Sequence, residues 1–204
     1  ETTLKESLTD VIITSYEIER RISWFFRTAK AKMDSGYDFP MWQVARATSA
    51  APIFFEPFKI DTDDTIDYYA LIDGGVFANN PAMCAYVEAK STHSDTDDLL
   101  IVSLGTGQSS RPILYDEAKD WGLANWALPI LNVVFDGVSD TVEYQLQRLL
   151  SPECYYRFQT RLSDDNDDMD DASRENIRAL KLLAQNIIQD NSDDLNRLCE
   201  QLVE

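Results

Sequence analysis

Residues 68–81 read Tyr-Tyr-Ala-Leu-Ile-Asp-Gly-Gly-Val-Phe-Ala-Asn-Asn-Pro, an apolar run followed by a glycine turn and a helix start. The apolar run over 68–72 predicts a buried strand, and the glycine pair after it is expected to adopt backbone angles that other residues resist. The Asn-Pro pair is typical of a helix start, so a helix is predicted over 81–90. Because ligands and catalytic groups collect at the carboxyl ends of strands in α/β sheets, Asp73 is a candidate catalytic carboxylate. The alternative is an Asp that only begins a turn.

Two further stretches repeat this order of strand or helix followed by a turn. Residues 42–58 read Trp-Gln-Val-Ala-Arg-Ala-Thr-Ser-Ala-Ala-Pro-Ile-Phe-Phe-Glu-Pro-Phe, which predicts a helix that stops at Pro52 and an extended aromatic run after it. Residues 99–107 read Leu-Leu-Ile-Val-Ser-Leu-Gly-Thr-Gly, a buried strand that ends in a glycine turn. The sequence predicts a parallel or mixed α/β sheet, with Asp73 at a carboxyl edge facing a cleft and strands near residues 10–15, 68–72 and 99–104.

In this order and at this spacing, the three stretches resemble the patatin-like phospholipases: Ala-Thr-Ser-Ala-Ala-Pro with Phe-Glu-Pro, Asp-Gly-Gly with Asn-Asn-Pro, and Ser-Leu-Gly-Thr-Gly. The similarity extends over about residues 10–188 and looks closest to bacterial members. It implies a three-layer α/β fold with a central, mostly parallel sheet. It also implies a lipid acyl hydrolase of phospholipase A or lysophospholipase type, acting on acyl esters of glycerolipids or phospholipids. In that family a serine attacks the ester and an Asp, here Asp73, is its base without an intervening histidine.

Two elements of such an active site are not found in this sequence. The family needs a glycine-x-serine-x-glycine elbow and an upstream glycine-rich loop that holds the oxyanion. Residues 107–111, Gly-Gln-Ser-Ser-Arg, have Arg in place of the second glycine. Residues 137–141, Gly-Val-Ser-Asp-Thr, lie in a helical pattern with no strand before them. Ser109 and Ser139 are therefore interpreted as structural.

The expected domain organisation follows from these missing elements, since both precede the matching region in the family. Residues 1–162 are expected to be the carboxyl-terminal part of a patatin-like domain whose amino-terminal part is missing. Residues 163–204 are expected to be an acidic loop and carboxyl-terminal helices of the same domain. Such a fragment is predicted to be inactive alone and to require the amino-terminal part of the same domain.

The single histidine and the three cysteines are interpreted as non-catalytic. His93 lies in the polar connection Lys-Ser-Thr-His-Ser-Asp-Thr-Asp-Asp, which is typical of a solvated loop. Cys84 is interpreted as a small buried side chain on the helix after Asp73, and a thiol nucleophile is the alternative. With Cys154 and Cys199 it makes too sparse a set for a disulfide framework or a zinc site. This cysteine usage predicts a cytoplasmic protein, and a secreted effector is the alternative.

The acidic segment over 164–171 nearly spells a calcium-binding loop. Met169 stands where the loop needs glycine, and the preceding element reads as a strand instead of a helix. The carboxylates are expected to complement the positive end of a helix over 173–189. We therefore expect neither a metal nor a cofactor.

The net charge of −18 and the pI near 4.3 argue against nucleic-acid binding and against electrostatic docking on anionic lipid. Peripheral membrane contact stays open and would have to be hydrophobic. Apolar residues at helical spacing over 115–150 are expected to pack on the sheet, and contact of the Trp-Gly-Leu-Ala-Asn-Trp portion with lipid is the alternative. Beside the hydrolase, the sequence leaves open a non-catalytic binding or regulatory module and an acyl transferase.

Overall fold

The computed structural model describes residues 1–62, 67–93, 98–127, 129–163, 166–168 and 170–203. The chain divides into two compact units, the first formed by Glu1–Asp95 with Ile130–Val142 and the second by Thr96–Pro129 with Glu143–Glu204. The boundary expected at residue 162 stays a prediction. Membership of both predicted segments in one domain stays a prediction.

The first unit contains a four-stranded sheet in which every neighbouring pair of strands is antiparallel. From one edge of the sheet to the other, the strands are the second, first, fourth and third in chain order. The strands are β1 (Ile12–Glu17), β2 (Ile22–Arg27), β3 (Phe58–Asp61) and β4 (Tyr68–Asp73).

The α/β fold class is confirmed, but the direction of pairing in this sheet differs from the expected mostly parallel arrangement. Residues 18–21 alone connect β1 to β2, and residues 62–67 alone connect β3 to β4. Connections this short permit hairpins, whereas parallel neighbours need a crossover of a dozen or more residues. Two of the predicted strands, β1 and β4, do pair with each other in this sheet.

Alternating side chains of the sheet build the core of the first unit. Tyr69 and Leu71 point inward from β4 and are buried, as the alternation of the sequence requires. Helices α1 (Thr28–Met33) and α2 (Met41–Thr48) pack on this face, with short 3-10 turns at Leu4–Glu6 and Ser35–Tyr37. Helices α3 (Gly75–Ala78) and α4 (Ala82–Thr92) lie on the opposite face, where Phe77 of α3 contacts Phe25. The buried cluster comprises Leu4, Phe26, Ala31, Phe39, Val44, Ala47, Ile60, Tyr69 and Leu71.

The second unit contains two parallel strand pairs. β5 (Ile101–Leu104) pairs with β7 (Tyr155–Phe158), and β6 (Gln108–Ser109) pairs with β8 (Arg161–Leu162). The predicted strand near 99–104 is thus confirmed, in this unit. The helices assigned to this unit are α5 (Tyr115–Ala118), α6 (Leu123–Trp126), α8 (Arg174–Asp190) and α9 (Ser192–Gln201).

Helix α7 (Pro129–Leu149) runs through both units. Its apolar stripe was expected to pack in a core, yet of its described residues only Leu146 is buried. Ile130, Val133 and Val134 are each exposed by at least 40%. The periodicity defines one face of a helix, but it does not specify what covers that face. Within the described ranges, no helix is both long enough and apolar enough to cross a membrane.

Candidate active site

Asp73 is the last residue of β4, and helix α3 begins two residues later. Its backbone lies opposite Ser15 of β1, whose hydroxyl donates to the carbonyl oxygen of Ile72 at 2.6 Å. The Asp73 side chain is half-buried, and its Oδ1 accepts a hydrogen bond from the Gly75 N–H at 2.7 Å. The predicted site residue therefore lies at the carboxyl end of a strand, as expected.

The structure brings the first and second sequence motifs together. The backbone N–H of Asp73 donates to the carbonyl oxygen of Ala50 at 3.0 Å, and Ala50 is fully buried. Thr48, at the end of α2, donates its hydroxyl to the carbonyl oxygen of Thr14 at 2.6 Å. The Ala-Thr-Ser-Ala-Ala-Pro motif thus fixes the backbone on which Asp73 sits. Sequence spacing gave the order of the motifs but contained no signal for these bonds.

Gly74 has a different role from the one expected. Its φ of −69° and ψ of −16° are ordinary helical angles that any residue adopts. A Cβ on Gly74 would overlap the backbone carbonyl of Thr14. Glycine is therefore required because β1 passes close to the turn, and the expected unusual backbone angle was wrong.

The environment of Asp73 suits a proton acceptor. Burial raises the pKa of Asp73 above its usual value, and the hydrogen bond from the Gly75 N–H opposes that shift only in part. Among the described residues, no cation contributes to the pKa of Asp73. A carboxylate that is half-buried and not neutralised by an ion pair is a stronger base than a solvated one.

Two cavities of about 280 Å³ each lie along α4 in the first unit, and both are lined by Ile12 and Glu88. One is mostly apolar, with Phe25, Met83 and Val87 in its wall. Asp73 is not among the lining residues of either cavity. The expectation that Asp73 faces a cleft stays a prediction.

The two serines that were interpreted as structural lie in regular elements. Ser139 lies within α7, so no strand-to-helix turn exposes its hydroxyl. Ser109 lies in β6 and donates to Asp167 Oδ2 at 2.8 Å. Asp167 also forms an ion pair with Arg111 at 2.7 Å. Ser109 thus belongs to a network of a hydrogen bond and an ion pair centred on Asp167, which supports its structural interpretation.

Cys84 lies on α4 and His93 directly follows that helix, as the sequence indicated. His93 is the C-cap residue, and its side chain is exposed in the polar connection that follows the helix. Cys84 is partly buried in the wall of the apolar cavity, and burial raises the pKa of its thiol. A raised pKa keeps the thiol protonated at neutral pH, which disfavours the alternative of a thiol nucleophile.

Side chains in the described part of the acidic segment form hydrogen bonds with neighbouring side chains. Asn166 accepts from Ser163 at 2.6 Å and donates to Asn176 at 3.0 Å. Asp164 and Met169, on which the comparison with a calcium loop depended, lie outside the described residues. In the described ranges, no group of three or more His, Cys, Asp or Glu side chains is arranged to hold a metal ion. Ser173 caps the following helix by accepting from the Asn176 N–H at 3.2 Å.

A half-buried, unpaired carboxylate at a strand end in an α/β fold is the arrangement expected of a general base. Comparison with known proteins matches the chain to a protein family. Residues 1–86 match a family model described as "Patatin-like phospholipase". The match includes Asp73 and the residues of the first motif that hold it.

Three curated proteins of Arabidopsis thaliana are similar to this chain. "Patatin-like protein 4" is 31% identical over 96% of the chain and 55% of its own length. "Patatin-like protein 6" is 34% identical over 70% of the chain and 30% of its own length. "Probable inactive patatin-like protein 9" is 31% identical over 71% of the chain and 39% of its own length.

These matches support the patatin-like phospholipase family for this chain. The chain spans about half the length of the first of these relatives, 55%, and less of the other two. The expected likeness to bacterial members is not confirmed by these three matches, since all three relatives are plant proteins.

Proposed function

We propose that this chain supplies the general base of a lipid acyl hydrolase of phospholipase A or lysophospholipase type, with Asp73 as that base. The position of Asp73 is the observation that carries the proposal. It is half-buried at the end of β4, its backbone is bonded to Ala50, and its Oδ1 is held by the Gly75 N–H. Oδ2 is the atom that we propose accepts the proton.

The proposed reaction is acyl transfer through a serine that belongs to the amino-terminal part of the same domain. The serine oxygen bonds to the carbonyl carbon of the ester while its proton passes to Asp73 Oδ2. The tetrahedral intermediate then collapses, and the departing alcohol takes the proton from Asp73. Water next attacks the acyl-serine, Asp73 accepts one of its protons, and the fatty acid leaves as the serine regains its hydrogen. No histidine is needed for these transfers.

The elements that this proposal requires beyond the chain are a glycine-x-serine-x-glycine elbow and a glycine-rich oxyanion loop. The expected substrate is an acyl ester of a glycerolipid or phospholipid, and the 204 residues alone are expected to be inactive. We propose a cytoplasmic location, which is supported by the free thiols of Cys84, Cys154 and Cys199.

A non-catalytic binding or regulatory module is the second candidate function. It is favoured by the likeness to a relative whose printed name is "Probable inactive patatin-like protein 9". The sequence that precedes Glu1 in the natural protein separates the two candidates, because only the hydrolase needs the serine elbow and the oxyanion loop. Transfer of the acyl group to an acceptor other than water would use the same base.

Replacement of Asp73 by Asn in the full-length protein tests the proposal. Asn keeps the shape of Asp but cannot accept the serine proton. We expect ester hydrolysis to fall by about 10²- to 10⁴-fold, which is the usual contribution of a positioned general base. Turnover is measured with a soluble short-chain ester so that membrane binding does not affect the result.

Asp136→Asn is the matched control. Asp136 is a partly buried carboxylate of α7 whose pKa is also raised by burial, with Asp140 as a second cause. Its amide variant should keep wild-type turnover. Retention of more than about a tenth of the activity by Asp73→Asn would exclude Asp73 as the base, since a general base contributes at least about 10²-fold.

A further inference from the structure

The turn formed by Ile53, Phe54 and Phe55 presents three consecutive large apolar side chains to solvent. Their exposed fractions are 65%, 43% and 58%. A single exposed apolar side chain is normal on a protein surface, but a contiguous apolar patch marks an interaction site. The sequence predicted an extended aromatic run here, whereas residues 52–55 form turns and β3 starts only at Phe58.

The backbone of this turn is held in a conformation that β-branched residues avoid. Ile53 has a φ of 81°, which lies in the left-handed region. The carbonyl oxygen of Ala51 accepts hydrogen bonds from the N–H groups of Phe54 at 3.2 Å and Phe55 at 2.9 Å. These two bonds close the turn. Backbone strain of this kind persists where the surrounding structure enforces it, and it clusters at functional sites.

Arg46 fixes the end of the turn. Its guanidinium carbon lies 5.4 Å from the ring centre of Phe55 and 5.5 Å from that of Phe58. Its Nη2 donates to the carbonyl oxygen of Glu56 at 3.3 Å. Arg46 thus holds the Phe55 ring and the backbone at Glu56 through one ring contact and one hydrogen bond.

The turn lies close to the candidate base. Ala50, whose carbonyl oxygen accepts from the Asp73 N–H, lies three residues before Ile53. Five residues of extended chain span at most about 18 Å, so Phe55 lies within that distance of Ala50. A lipid surface entered by this turn would therefore lie within roughly 20 Å of the Asp73 backbone, which is that chain length together with the hydrogen bond to Ala50.

The charges in and around the turn indicate which kind of lipid surface it contacts. Residues 49–55 carry no charged side chain, and the flanking Arg46 and Glu56 are of opposite sign. The whole chain has a formal charge of −18, which repels anionic lipid. A zwitterionic surface avoids this repulsion and still offers apolar area.

We infer that the Ile53–Phe55 turn is a membrane-contact element that inserts its side chains into the surface of zwitterionic lipid beside the candidate active site. This inference rests on the proposed function for the choice of lipid as the partner. The turn brings the protein to aggregated substrate, while Asp73 acts in the chemical step.

Sedimentation of the full-length protein with vesicles tests the inference without any contribution from turnover. The probe is ether-linked phosphatidylcholine, which contains no acyl ester. The double variant Phe54→Ser with Phe55→Ser should weaken binding by about tenfold or more for each ring removed. Leu8→Ser is the control, because Leu8 is a fully exposed apolar residue of the same unit. It should bind as wild type does.

Three outcomes would overturn the inference. These are unchanged vesicle binding by the double variant, binding by wild type only when phosphatidylserine is added, and no binding by wild type. In the third case the turn is covered by another part of the protein. If the protein hydrolyses no ester but its binding to vesicles depends on the turn, the proposed function fails and the membrane-contact inference is supported. If hydrolysis depends on Asp73 but the double variant binds vesicles as wild type does, the proposed function is supported and the membrane-contact inference fails.

Discussion

Gly74 shows that a glycine beside a candidate catalytic residue is required for space. Its backbone angles are helical, and its Cα faces the backbone of Thr14 in β1. The Asp-Gly-Gly sequence predicts a turn at this point, and a turn is found. The reason for the glycine depends on β1, which lies about sixty residues earlier in the chain. A local pattern contains no information about such a contact.

We predict that Gly74→Ala destabilises the protein by about 1–3 kcal/mol, because overpacking at a site enclosed by backbone forces the neighbouring strand to shift. Gly137→Ala is the matched control, since Gly137 lies within α7 and a Cβ there meets open space. It should stabilise the protein by about 0.5–1 kcal/mol through the preference of helices for Ala over Gly. Urea unfolding of both variants measures the two effects. Equal stability of the two variants would show that β1 does not lie against Gly74.

The raised pKa of Asp73 predicts a pH-dependent effect on stability. Its usual pKa is 3.8, and burial raises it in the folded state. Protonation of Asp73 therefore contributes to the stability of the folded state. This contribution is fully present below the usual pKa and is lost as the pH rises through the pKa of the folded state. Asp73→Asn carries no charge at any pH, so we expect it to have the higher melting temperature at pH 7.

This advantage of Asp73→Asn should shrink as the pH is lowered towards 4, because wild-type Asp73 then becomes protonated. Thermal unfolding at pH 7 and pH 4 measures the change. A melting-temperature difference that grows on acidification would mean that the folded state favours the charged carboxylate and that burial does not dominate.

At the scale of elements, the β1–β2 hairpin is stabilised by a buried carboxylate that the sequence did not reveal. The Glu17 side chain is fully buried and accepts hydrogen bonds from the backbone N–H groups of Arg20 at 2.6 Å and Ala70 at 3.1 Å. The Arg20 guanidinium pairs with it at 2.9 Å and reaches the carbonyl oxygen of Tyr68 at 3.3 Å. One side chain thus links the hairpin turn to β4, the strand that ends at Asp73.

We predict that Glu17→Ala destabilises the protein by at least about 2 kcal/mol, since it leaves buried N–H groups without an acceptor. Glu17→Gln should lose less, because its amide oxygen still accepts from one of the two N–H groups, which bond to different carboxylate oxygens in the wild type. Asp61→Ala is the control: Asp61 forms the exposed pair with Lys59 in the same sheet, and its loss should cost about 1 kcal/mol or less. The free energy of unfolding is the readout. If Glu17→Ala lowers the free energy of unfolding no more than Asp61→Ala does, Glu17 does not stabilise the hairpin.

The elements that the sequence predicted well have local signals. Apolar runs identified β4 and β5, the family resemblance indicated β1, and the Asn-Pro pair marked the start of α4. The stretch after Pro52 was predicted as extended because aromatic residues favour strands. Two hydrogen bonds to the Ala51 carbonyl oxygen make it a turn instead. Turn hydrogen bonds of this kind, which join residues three and four positions apart, override the preference of single residues.

At the scale of the whole molecule, the candidate base and the motif that holds it lie in the first unit. The third motif lies in the second unit, where the Gly107 N–H donates to Gln159 Oε1 at 2.9 Å and Ser103 accepts from Arg157 at 3.0 Å. The order of the motifs along the chain identified the family without specifying this division. The strand pairing behind the division joins residues about fifty positions apart, which sequence patterns do not specify.

The central claim is that Asp73 activates a serine that lies outside these 204 residues. Reaction of the full-length protein with a fluorophosphonate, followed by mass spectrometry of the labelled peptide, tests it most directly. We predict one adduct, on the serine of a glycine-x-serine-x-glycine sequence preceding Glu1. Asp73→Asn should slow its formation by about 10²-fold or more, and His93→Ala should leave the rate unchanged. An adduct on Ser109 or Ser139, or labelling of Asp73→Asn as fast as wild type, would contradict the account.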